Sequence, residues 1–180
     1  MNSVLAYLAD SDVRVSFRLR GWRPPRWFRI WMLSATRLGD GWLWLATGLV
    51  LLALGAPGLR VFAASAAAAG VANIALVLLK RRFRRVRPCA HGENPVFAVA
   101  PLGLFADDRF SFPSGHTLNA FAIGTPIALH FPAAAPALFL VAASVGASRV
   151  VLGLHFVTDV LAGAILGLLI GSGAFLLVFA

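Results

Sequence analysis

The stretch Val160–Ala180, VLAGAILGLLIGSGAFLLVFA, decides what kind of chain this is. It is 21 residues long and carries no charged side chain. A helix rises about 1.5 Å per residue and the hydrocarbon core of a bilayer is roughly 30 Å thick, so the stretch is long enough to cross it. Val61–Leu79 repeats the pattern over 19 uncharged residues. Of all 180 residues, 59% are hydrophobic and 13% charged. A soluble domain would carry about 25% charged residues. The expected fold is an all-α, polytopic membrane helical bundle forming one domain over residues 1–180.

Working outward from these two stretches, about five transmembrane helices are expected: Gly41–Ala56, Val61–Leu79, Pro113–Phe131, Ala137–Ser148 and Thr158–Ala180. The second should stop at Lys80, and Pro126 should kink the third. Gly163, Gly167 and Gly171 recur every four residues in the last span, a spacing that lets helices approach closely. The connection from Lys80 to Ser111 is long. Its apolar part, Pro95–Ala106, is too short to span and reads equally as a segment that dips into the membrane or covers an entrance at the interface, or as a packed loop.

Residues 1–40 form a basic N-terminal segment. Val13–Arg37 holds seven Arg and three of the five Trp, and Pro24-Pro25 breaks any continuous helix. Beyond the break, Trp27, Phe28, Ile30, Trp31 and Leu33 fall on broadly one side, the pattern of an interfacial helix rather than of a solvated basic tail. The opening MNSVLAYLAD lacks the basic start and long apolar core of a cleaved signal peptide. The net charge of +9 fits basic flanks meeting anionic lipid headgroups, and no nucleic-acid-binding module is recognisable. A single cysteine, Cys89, excludes an internal disulfide and a cysteine-based metal site, and reads as an ordinary loop residue.

Alternating spans bring three polar clusters to one membrane face. The first is Lys80–Pro88, KRRFRRVRP. Arg81, Arg82, Arg84 and Arg85 read there as topology signals. The second is Pro113–His116, PSGH, at a helix start, where backbone N–H groups and the dipole suit a phosphate and Gly115 permits close approach. The third is Ser148–Asp159, SRVVLGLHFVTD, in which His155 and Asp159 are four apart. On one helical face, the carboxylate would hold the imidazole in one tautomer. Lys80, Arg87 and Arg149 make a cationic cradle, and Ser114 and Gly115 offer donors. No second acidic cluster is available on this face to hold a divalent metal. The inventory suits metal-independent phosphoryl transfer, with one His attacking phosphorus and the other protonating the departing oxygen. His91 and His130 read as packing or interface residues.

These clusters resemble the motifs of the type-2 phosphatidic acid phosphatase superfamily, whose site vanadium haloperoxidases share. Lys80, Arg87-Pro88, Pro113-Ser114-Gly115-His116, Ser148-Arg149, His155 and Asp159 match all eleven specified positions in order and spacing. The resemblance implies that His155 forms a phosphohistidine, that Asp159 orients and polarises it, and that His116 is the general acid and then activates water. It implies that Lys80, Arg87, Ser114, Gly115 and Arg149 bind phosphate, with Pro88 and Pro113 shaping the backbone. Ser148 bonds either phosphate or a neighbour. Many integral-membrane relatives have six spans, against five here plus the N-terminal segment, whose role stays open.

A site at span ends takes a phosphate at headgroup level with its tail in lipid. Phosphatidic acid, phosphatidylglycerophosphate and polyprenyl mono- or diphosphates all fit, with a slight preference for the polyprenyl compounds. No cofactor is expected, and a homo-oligomer is left open. The setting is a bacterial plasma membrane. Fifteen of the sixteen Lys and Arg fall on the site's face and Arg60 alone on the other, so the positive-inside rule puts the site in the cytoplasm. Bacterial relatives that face outward argue the reverse. The competing readings are a lipid phosphotransferase using the same phosphohistidine, an oxidising haloperoxidase, and a non-catalytic lipid-binding protein.

Overall fold

The computed structural model describes residues 3–91 and 110–180. Pro95–Ala106 and Arg109 lie outside the described residues, as does the side chain of His91. Among the described residues seven α-helices follow one another: α1 (Ser3–Gly21), α2 (Arg26–Leu38), α3 (Trp42–Ala53), α4 (Ala56–Phe83), α5 (Gly115–His130), α6 (Ala135–Val151) and α7 (Val157–Phe179). Pro24 and Pro25 separate α1 from α2, as their chemistry requires. Among the described residues, Ala56–Phe83, Pro132–Val151 and Val157–Phe179 are long and apolar enough to cross a membrane. The 12 residues of α3 and 16 of α5 are shorter. They rise about 18 Å and 24 Å, and both pack alongside the long helices.

Helix α4 does not stop at Lys80. It runs to Phe83 and ends where Arg84 takes a positive φ of 47°. Lys80 is therefore held on a rigid turn of helix rather than in a loop. The polar run that follows is tied back by Ser111 N–H donating to the Arg85 carbonyl at 2.7 Å.

The bundle is inside out relative to a soluble protein. On α7, Leu161, Ile165, Leu169 and Leu176 are more than half exposed, while Gly163, Gly167, Gly171 and Ala174 are buried. The buried face meets α5. A Cβ at Gly163 would lie 2.8 Å from the Ser114 carbonyl oxygen, one at Gly167 2.5 Å from that of Leu118, and one at Gly171 2.7 Å from that of Ala122. Each four-residue step on α7 matches a four-residue step on α5, so the two run parallel with backbones in contact. Between lipid-facing helices van der Waals packing drives association, and small residues maximise it. The same register puts the starts of α5 and α7, with PSGH and Asp159, side by side.

This packing generates a paired prediction. Gly167→Ala should lower stability by roughly 1–3 kcal/mol, because backbone and the Phe121 Cβ block the new methyl. Gly173→Ala, where nothing lies within 4 Å, should be neutral or stabilising by about 0.5–1 kcal/mol. Thermal unfolding of the detergent-solubilised protein checks both, and equal melting temperatures for the two variants would refute the close contact.

Candidate active site

A cavity of about 560 Å³ opens between the helices at this end of the bundle, with Lys80, Arg87, Gly115, His116, Arg149 and His155 in its wall. Six of the nine site residues expected from sequence thus meet around one space. The loop after α6 delivers His155. Gly153 turns the chain with a φ of 70°, and the amides of Leu154 and His155 both donate to the Arg149 carbonyl, at 2.9 and 3.0 Å. His155 is 2% exposed.

The tautomer of His155 is set by a backbone group. Its Nδ1 lies 2.6 Å from the Ser111 carbonyl, which can only accept, so Nδ1 carries the proton and Nε2 keeps its lone pair. Asp159 is 3.7 Å from Nδ1, beyond hydrogen-bond distance. The expectation that Asp159 itself fixes the tautomer is corrected: α7 begins after His155, and the carboxylate turns to the Phe156 N–H instead, at 2.8 Å. Burial, helped by Arg87 and Arg149 and opposed by Asp159, drives the His155 pKa down to about 3. A neutral imidazole with a free Nε2, facing a cation-lined cavity, can attack an anionic phosphorus centre.

Asp159 has no solvent exposure and joins three segments. Its carbonyl accepts the Ser114 N–H at 3.0 Å, Oδ2 accepts the Phe156 N–H, and Oδ1 pairs with Arg85 Nη1 at 2.8 Å. Arg85 is consequently more than a topology signal. It also pairs with Asp12 at 2.8 Å, donates to Thr158 Oγ1 at 2.7 Å, and lies over the Phe156 ring at 4.0 Å. Asp12, 3% exposed, further bonds the Thr158 N–H and hydroxyl. Helix α1 is therefore docked on the site through one buried acid. Its basic, aromatic surroundings disguised that acid in the sequence.

Helix α2 and the turn after it supply two more partners. Arg149 Nη1 donates to Thr36 Oγ1 at 2.6 Å. Asp40 Oδ1 lies 2.8 Å from His116 Nε2, so Nε2–H donates and Nδ1 is left for a ligand. The approach is close because Gly39 precedes Asp40: a Cβ there would lie 2.8 Å from His116 Cδ2. An acid between two glycines at the edge of a span, Gly39-Asp40-Gly41, was the signal available for Asp40. No nearby motif links it to His116, 76 residues away.

Two expected binders sit elsewhere. Ser148 is buried and its hydroxyl donates to the Val145 carbonyl at 2.6 Å within α6, so it bonds a neighbour. Ser114 is also fully buried, its N–H is taken by Asp159, and its hydroxyl accepts from Thr117 at 3.0 Å. The donors at this helix start come to the cavity from Gly115 onward. At the far end of the bundle, His130 packs against Phe131 and Phe179, as a packing residue should. Among the described residues, no three His, Cys, Asp or Glu side chains gather to hold a metal ion.

A family model described as the PAP2 superfamily matches residues 57–180, so the chain belongs to that superfamily. It is 40% identical over 104 residues to phosphatidylglycerophosphatase B of Bacillus subtilis (strain 168), covering 52% of this chain and 46% of that protein. It is 33% identical over 140 residues to a decaprenylphosphoryl-5-phosphoribose phosphatase of Mycobacterium tuberculosis, covering 73% of this chain and 68% of that protein. The chain thus spans less than half the length of the first relative and about two thirds of the second. The crystal structure of a transmembrane PAP2-type phosphatidylglycerolphosphate phosphatase from Bacillus subtilis superposes with a TM-score of 0.69 at 29% identity, covering 99% of this chain and 86% of that one.

The His155 environment predicts its titration. With 15N-labelled histidine, its resonance should report a neutral Nδ1–H tautomer and not titrate from about pH 8 to 5. The folded pKa lies below the ordinary 6.5, so the unfolded chain takes the proton first. This group's contribution to stability is complete above that ordinary value and is lost as pH falls toward about 3. Protonation of His155 within the stated window would refute the assignment.

Proposed function

We propose that the protein is a bacterial membrane lipid phosphate phosphatase, a single catalytic unit working through a phosphohistidine. The observation that carries this reading is the pair of histidines, each oriented by an acceptor behind it, in the wall of one cavity lined by Lys80, Arg87 and Arg149. The named relatives are phosphatases of lipid phosphates. Their names describe a phosphate carried on a glycerol and on a ribose.

Lys80, Arg87, Arg149 and the start of α5 at Gly115 draw in the phosphate and neutralise its equatorial oxygens. His155 Nε2 attacks phosphorus, and the bond from phosphorus to the alcohol oxygen breaks. The positive charge that forms on the imidazole is stabilised by the Ser111 carbonyl at Nδ1–H and by the nearby Asp159 carboxylate. His116, which enters the reaction protonated on both ring nitrogens and is held by Asp40 at Nε2–H, gives its Nδ1 proton to the departing alkoxide. Neutral His116 then takes a proton from water, whose oxygen attacks the phosphohistidine. Inorganic phosphate leaves and His155 is regenerated. Arg85 and Asp12 act at one remove, by holding Asp159 in place.

Phosphate release by the purified protein in detergent tests the reading. Wild type should release inorganic phosphate from lipid phosphates in the presence of EDTA and without an added acceptor alcohol. His155→Ala should lose activity by roughly 10³-fold or more. Dependence on an acceptor would point to a phosphotransferase instead, and activity that persists in His155→Ala would refute the phosphohistidine.

The charge bias supports a cytoplasmic site, since Arg60 alone marks the opposite end, with an outward-facing site as the alternative. Arg81→Cys, in a Cys89→Ser background, should resist a membrane-impermeant thiol reagent in intact cells and react after permeabilisation. Labelling in intact cells would turn the site outward.

A further inference from the structure

Below the cations the cavity changes character. Trp44 of α3, Asn73 of α4 and Asn119 of α5 also line it. Asn119 follows His116 by three residues, about 4.5 Å further into the bundle, and Asn73 precedes Lys80 by seven, about 10.5 Å further in. Asn119 Nδ2 donates to Asn73 Oδ1 at 3.2 Å, and Asn73 Nδ2 donates to the Ala69 carbonyl at 2.9 Å. Asn119 Oδ1 and the Trp44 indole N–H are buried and have no hydrogen-bond partner among the described residues. Whichever way the Asn119 amide is turned, one of its polar atoms is left over. Buried polar groups of this kind destabilise a protein unless something pairs with them.

Deeper still lies an apolar pocket of about 100 Å³, walled by Leu51, Phe62, Ala66 and Ile127. It shares Trp44, Ala69 and Ile123 with the main cavity. Along the bundle the order is therefore cations and histidines, then a polar belt, then hydrocarbon. A substrate lying along this path would meet the same order: phosphate, a polar connecting group, then the tail.

We infer that Trp44, Asn73 and Asn119 form a subsite for a hydroxyl-bearing group, a polyol or a sugar, that joins the reacting phosphate to the lipid tail. A hydroxyl donates and accepts at once, so the hydroxyls of such a group suit both an acceptor such as Asn119 Oδ1 and a donor such as the Trp44 N–H. The methylene of a phosphate attached directly to hydrocarbon would leave both groups unpaired, and sites built to bond a hydroxyl discriminate strongly against its absence. The inference rests on the phosphatase reading above. It adds a hydroxyl-bearing connector to the sequence-based preference for polyprenyl mono- or diphosphates.

Two lipids that differ by one hydroxyl test it: phosphatidylglycerophosphate, and its analogue lacking the central hydroxyl of the terminal glycerol. Wild type should favour the first by at least about 10-fold in kcat/KM. In Trp44→Phe, which keeps the ring and loses the donor, and in Asn119→Leu, the ratio should fall toward one. A wild-type ratio near one, or a ratio unchanged in both variants, would overturn the subsite. The same lipids are then titrated into the His155→Ala protein, with thermal stabilisation as the readout. Stronger stabilisation by the hydroxylated lipid, even where wild type releases no phosphate, would keep the subsite while ending the phosphatase reading. Equal stabilisation would overturn the subsite, whatever the turnover.

Discussion

A carboxylate with no access to water sits at the first turn of the last helix, and the site is organised around its need for partners. Burying an unpaired charge is costly, so Asp159 can occupy this position only while donors reach it from outside. Two donors reach the carboxylate, and a third bond is made to the backbone carbonyl of the same residue. Arg85 reaches in from beyond α4, the Phe156 amide folds back over the start of α7, and the Ser114 amide is held to the same residue through its carbonyl. The side-chain and backbone bonds of this one residue thus align the three motif segments. It also keeps His155 beside a negative charge without giving it a direct hydrogen bond.

The membrane supplies the second constraint. Lipid-exposed leucines and isoleucines contribute little to the association of the helices, because they meet apolar surroundings on either side. Backbone contact between α5 and α7 does more, and the glycine row sets its register. That register and the Asp159 network agree: both put the start of α5 against the start of α7. His116 and His155 are then carried into one cavity by different devices, one by a helix start and one by a loop pinned to the Arg149 carbonyl.

The N-terminal helices complete the arrangement. Asp12, Thr36 and Asp40 each engage a residue of the motif region, through Arg85, Arg149 and His116. A segment whose composition reads as a membrane-surface anchor also furnishes partners to the site. Its exposed Trp27, Ile30 and Trp31 keep the surface-seeking character that the pattern implied.

Helical class, the approximate extents of the apolar helices and the identity of the cationic and histidine residues were legible in the sequence, because each depends on local properties: hydropathy over a helix length, charge and motif spacing. Alternation of span direction was enough to bring Lys80, His116 and His155 to one end. What only the tertiary structure decided were the partners. The Ser111 carbonyl at His155 is a backbone group with no side-chain signature. Asp40 and Asp12 are single acids far in sequence from the groups they bond. Ser148 has a hydroxyl that suits phosphate, but its position on α6 aims it at a carbonyl of its own helix. Asn73, Asn119 and Trp44 are scattered over three apolar helices and become a set only where those helices face one cavity. Hydrogen bonding depends on distance and direction between atoms, and for residues 44 to 146 positions apart that information exists only once the chain is packed.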